Sequence, residues 1–246
     1  MVSQPLFYYV FLGVSLFFLT LTKDARIAGI FLVALFVDFA IFQQLPTSIN
    51  QNQIPKNTGT ALTFALVAFA IFIGVTFVVT AALQGTAFLQ GTIDPENPIQ
   101  SILRHGFAST GLSEDDPILS IRQNLFSAED PIFADSIILT YLEFGIVIAF
   151  IETRLIIRIW EFLSKGLNIP LGKFSTRMFF VMFIVSAMFM FFHSEVKGVQ
   201  DNVANLMTFI FAFISLEFAR RTREMEGATY FHIINNIVFI WNRIGF

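Results

Sequence analysis

Glu152 in FIETRLIIR, His193 in FMFFH, and His232 with Asn236 in HIINN are ionisable or strongly polar residues set in segments otherwise apolar enough for a bilayer. A charged side chain at membrane depth costs at least ~2.5–3.5 kcal/mol on insertion scales, so such residues line a cavity, meet a partner or carry chemistry. The chain has three histidines, and two of them lie in these segments. A glutamate held in an apolar cavity has its charged form disfavoured and can take a proton from water. One imidazole can share that water or polarise a carbonyl. A second imidazole, with an amide one turn away, can donate hydrogen bonds to an oxyanion developing on that carbonyl. Residues four apart share a helix face, which sets Asn236 beside His232 and Phe189 one turn below His193. Together these groups would make a water-activating hydrolase within a membrane.

The elements that must position them are helices. Apolar residues make up 55% of the chain and mean hydropathy is +0.72, while several runs reach the roughly 20 residues needed to cross hydrocarbon. A β-barrel would alternate polar and apolar residues, whereas TALTFALVAFAIFIGVTFVVTAAL is apolar on every face. The expected class is an all-α, polytopic transmembrane bundle of about seven helices, near 5–22, 27–45, 59–83, 135–160, 175–196, 202–219 and 228–244. Three spans fall in 1–83 and four in 135–246, separated by a polar, acidic segment, 84–134. That segment carries seven acids against two arginines, with Ile118, Leu119, Ile121, Leu125 and Phe126 suited to a short interfacial helix. His105, within it, reads as a solvated loop residue. The lone acids Asp38, Glu143 and Glu217 in other spans read as structural or interfacial.

Several function classes drop out. The net charge is −3 and there is no basic stripe with interleaved aromatics, so nothing suggests a nucleic-acid partner. With no cysteine there is no disulfide, thiolate metal site or cysteine nucleophile. MVSQPLFYYVFLGVSLFFLTLT lacks a basic n-region and a small-residue cleavage site, and so reads as a retained span. The basic loops at 161–177 and 220–226 are two crossings apart and can both face the cytoplasm, although Lys23 and Arg26 then fall outside, against the same rule. No His-Glu-x-x-His zinc motif and no Gly-x-Gly-Asp occurs, and Ser109 in GFASTG has only a faint likeness to a rhomboid serine motif.

The order FIETRLIIR, FMFFH, the basic turn RRTREMEG and then ATYFHIINN resembles the CAAX prenyl protease and bacteriocin-processing family of intramembrane proteases, over roughly residues 135–244. That family carries Glu-Glu-x-x-x-Arg, Phe-x-x-x-His and His-x-x-x-Asn motifs on successive membrane helices. The resemblance implies a CAAX-protease-like core in which Glu152 and His193 activate water while His232 and Asn236 hold the oxyanion, supported by Phe189 and Arg158. It also implies a multi-pass protein of a prokaryotic plasma membrane, acting on membrane-associated or prenylated peptides. Glu152, His193 and His232 are the candidates for a divalent metal.

The first motif departs from the family's. Thr153 stands where the second glutamate belongs, and Arg158 comes one place late, where a regular helix turns it roughly 240° from Glu152. A π-bulge between them would restore the register. Without it, the chain reads as a catalytically silent scaffold, chaperone or immunity-type protein on the same helices. A small transporter using these polar residues as a solute or proton path is the other alternative. Each residue also has a structural reading: Glu152 pairing with an arginine while Arg154 and Arg158 snorkel to headgroups, His193 at the wet end of its helix, and His232 with Asn236 joining helices.

Overall fold

The computed structural model describes residues 58–84, 86, 93–94, 96–110, 141–196, 199–223 and 225–244. Their regular structure is helical throughout: α1 Thr58–Leu83, α2 Pro98–Ser109, a π-helical segment Tyr141–Ile148, α3 Ala149–Gly166, α4 Thr176–Val196, α5 Asn202–Thr222 and α6 Glu226–Ile244. Three stretches, Gly59–Leu83, Thr176–Glu195 and Asn202–Thr222, are long and apolar enough to cross a membrane. They correspond to the spans expected at 59–83, 175–196 and 202–219. The spans expected at 135–160 and 228–244 are helical where described, yet α3 and α6 do not join that set. Five charged residues on α3 and a paired asparagine on α6 make them more polar. The spans expected at 5–22 and 27–45 and the interfacial helix expected near 118–126 lie outside the described residues.

Apolarity sorts the helices into layers. α1 is hydrophobic all round, and it turns Leu62, Phe64, Leu66, Ile71 and Val78 outward while Ala65, Ala68 and Phe72 point in. Phe72 is fully buried, with its ring 6.1 Å from Phe211 on α5 and 5.9 and 6.3 Å from Phe231 and Phe239 on α6. On α4, Phe180, Phe183, Ile184 and Phe191 face outward while Met178, Met182, Val185 and Phe189 face the core. Such outward rings are what a helix presents to lipid hydrocarbon. α3 is different. Its buried residues include Glu152, Thr153, Arg154, Arg158 and Glu161, and it packs against α4, α5, α6 and the π segment. Its Trp160 indole N–H donates to Met178 Sδ of α4 at 3.2 Å.

The polar segment 84–134 contains a helix that was expected to be loop. Pro98 at its first turn suits the start of α2, because a proline there forfeits no helical hydrogen bond. Ile102, His105, Gly106 and Ser109 recur on one face and are buried. Gly106 is required there, because a Cβ on it would overlap the Phe239 ring of α6. Ser109 closes the helix with its hydroxyl donating to the Gly106 carbonyl at 2.6 Å, which is a structural role.

His105 is therefore no solvated loop residue: it is 7% exposed, and its Nδ1 lies 2.6 Å from Asp201 Oδ2. Asp201 is the N-cap of α5, its other oxygen accepting from the backbone N–H groups of Val203 and Ala204 at 2.8 and 3.0 Å. Burial alone would raise the Asp201 carboxyl; the His105 contact and the two backbone N–H groups outweigh it and hold it below the ordinary carboxylate range. A depressed folded pKa adds stability that is complete above the unfolded value of ~3.9 and disappears as pH falls through the folded one. Thermal unfolding in detergent is thus expected to show no pH dependence from this group between pH 5 and 8, where its contribution is complete, and a loss of stability below about pH 4. Asp201→Asn, which keeps the cap acceptor without the charge, should flatten that acid limb. An unchanged limb in the variant would show that Asp201 is not its source.

At the other end of α5, Glu217 accepts from Arg220 and Arg221 at 2.6–2.8 Å, so this lone acid is structural as expected. Arg220 also donates to the Gly172 carbonyl at 3.2 Å and lies 5.4 Å over the Phe174 ring, which ties the α3–α4 loop to α5. The helix stops at Arg223 in the left-handed conformation, φ 59°, with its N–H bonded to the Ala219 carbonyl.

Candidate functional site

Glu152 lies one turn into α3 and is fully buried. Its Oε2 is 3.6 Å from His193 Nε2 of α4 and 3.5 Å from His232 Nε2 of α6. His193 and His232 are 2% and 3% exposed, so three helices bring a carboxylate and two imidazoles to one point shielded from solvent. Separations of this size are slightly longer than a direct hydrogen bond and short enough for one water to touch all three groups.

Each ring is held from behind. His193 Nδ1 donates to the Phe189 carbonyl at 3.0 Å, one turn back on α4, and the Phe189 ring packs on the imidazole with centroids 4.2 Å apart. Phe189 thus stands one turn below His193 as the spacing predicts. His232 lies against Phe211, centroids 4.4 Å apart, and its Nδ1 is 3.0 Å from Thr153 Oγ1. Thr153 is fully buried, and its hydroxyl donates to the Ala149 carbonyl at 2.7 Å. Asn236 follows His232 by one turn, buried, and donates from Nδ2 to the Phe144 carbonyl at 2.9 Å. That bond fastens α6 to the π segment.

Two expectations about α3 need correcting. The helix is regular from 149 to 166, and the π-helical turns lie before it, at 141–148, so no bulge between 152 and 158 brings Arg158 round. Arg158 instead reaches Glu161 Oε2 at 3.3 Å, three residues on along its own helix. Nor does it snorkel: Arg154 and Arg158 are 4% and 6% exposed, so the reading that sent them to the headgroups fails. His193, for its part, is not the wet end of α4.

Thr153 and Phe211 escaped the sequence reading. Thr153 was legible only as a missing acid, although a buried helical threonine commonly bonds the carbonyl four residues back, which was a usable signal. Phe211 is one of 33 phenylalanines, and nothing in its sequence context distinguishes it.

Among the described residues no group of three or more His, Cys, Asp and Glu side chains is arranged to hold a metal ion. The three metal candidates meet as a carboxylate between two imidazoles. Among the described residues, these observations define an all-helical class with three helices apolar enough to cross a membrane and a buried Glu–His–His cluster. Compared with models of protein families, with curated proteins and with solved structures, the chain matches none.

Proposed function

We propose that the chain is an intramembrane peptidase of the CAAX-protease type, a seven-crossing protein of a prokaryotic plasma membrane that hydrolyses membrane-associated peptides, prenylated ones included. One observation carries the reading: Glu152 Oε2 lies within 3.6 Å of imidazole nitrogens from two other helices, all three groups buried. In this reading a water seated against Glu152 and His193 gives a proton to Glu152 and its oxygen attacks the scissile carbonyl carbon, while His232 faces the oxygen that becomes negative. As the tetrahedral intermediate collapses, the C–N bond breaks and that proton goes to the leaving amine. Asn236 has two amide hydrogens; one goes to Phe144, and the other can support that oxyanion.

A catalytically silent scaffold or immunity-type protein is the second reading. It is favoured by Thr153 in place of a second acid and by Arg158 turned to Glu161 rather than toward Glu152.

Vesicles containing the chain and a mixture of single-span peptides in ¹⁸O-water test the proposal. Cleavage should place one ¹⁸O in each new carboxyl terminus, because the attacking oxygen comes from solvent. No cleavage, with uptake of a solute, would replace the peptidase by a transporter. Neither activity would leave the silent scaffold.

A further inference from the structure

We infer that Thr153 is a positioning residue that fixes the tautomer of His232. The assignment follows from counting hydrogens. A threonine hydroxyl has one proton, and the 2.7 Å contact between Thr153 Oγ1 and the Ala149 carbonyl requires it, since two oxygens at that distance with no hydrogen between them repel. Toward His232 the same oxygen can only accept, so at 3.0 Å the hydrogen must sit on His232 Nδ1. His193 obeys the same rule by a simpler route, because the Phe189 carbonyl facing its Nδ1 has no hydrogen to give.

When the two rings are neutral, each therefore turns an unprotonated Nε2 toward Glu152 Oε2. Two ring lone pairs and a carboxylate oxygen confront one another, an arrangement made favourable by a donor lying among them, as a water does. In the peptidase reading, on which this consequence rests, His232 Nε2 starts as a proton acceptor. It becomes a donor to the oxyanion only after the proton that Glu152 takes from the attacking water passes on to it from Oε2. Thr153 thus does more than replace an acid. It sets the order in which His232 acts.

The experiment uses the full chain, ¹⁵N-labelled at histidine, in detergent micelles. Long-range ¹H–¹⁵N correlation separates the two tautomers, and His105→Gln, His193→Gln and His232→Gln assign the three rings. The expected spectrum has His232 with hydrogen on Nδ1. Thr153→Val, which removes the acceptor and keeps the shape, should move the tautomer ratio toward Nε2–H by about tenfold. Thr153→Ser should keep the parent ratio. Hydrogen on Nε2 in the parent, or a folded Thr153→Val variant with the parent ratio, would overturn the inference; if the valine variant does not fold, the parent and serine spectra decide. Peptide cleavage is measured on the same samples. A parent with Nδ1–H at His232 and no cleavage sinks the peptidase and leaves the role of Thr153 standing, whereas cleavage with Nε2–H does the reverse.

Discussion

Glu152→Gln is expected to lower peptide hydrolysis by ~10²–10⁴-fold while the purified protein stays folded in detergent. Glutamine keeps the volume of the side chain at a fully buried position, and its amide can meet a water shared with the imidazoles, whose nitrogens lie 3.5 and 3.6 Å from the parent carboxylate. Only the capacity to take a proton from water is removed. The loss should therefore appear in kcat, with KM little changed, because substrate binding does not depend on that proton. Unfolding of the variant together with an inactive parent would make Glu152 a structural partner of the two histidines. Loss of solute uptake in the same variant, from a parent that transports, would turn the cluster into a transport path.

The largest effect on stability is expected at Phe72. Its ring joins α1 to α5 and α6 through Phe211, Phe231 and Phe239, and none of its surface is exposed. Phe72→Ala should destabilise the bundle toward the low end of the ~3–5 kcal/mol seen for buried Phe→Ala, since a ring leaving lipid gains less than one leaving water. The cavity should also reach the site. Phe211 packs on both Phe72 and His232, so in the variant Phe211 loses a neighbour that backs its contact with His232. Thermal unfolding of Phe72→Ala and Phe72→Leu side by side checks the claim, with leucine recovering most of the loss. Equal midpoints for alanine and the parent would show that α1 docks by other contacts.

How far the sequence could be read differs from element to element. α1, α4 and α5 were legible almost to their ends, because apolar length is a property of consecutive residues and needs no knowledge of neighbours. Glu152, His193 and His232 were legible as a set because charge inside apolar sequence is costly wherever it occurs. α2 was not. Its buried face repeats every three to four residues, but Gly, Pro and Asp around it made the segment look like loop, and only contact with α5 and α6 gives His105 and Gly106 a reason to be buried.

The sequence by itself determined the helical class, the helices that carry the polar residues, and the face each residue shares with its neighbours one turn away. These follow from local periodicity and from the cost of leaving backbone groups unpaired in hydrocarbon. Tertiary structure alone decided that three helices bring Glu152, His193 and His232 within 3.6 Å, that the π turns lie at 141–148 rather than beside Arg158, and that Thr153 faces His232. Those facts depend on how helices cross and rotate against one another. Packing between side chains distant in the sequence sets that rotation, and no periodicity along a single helix encodes it.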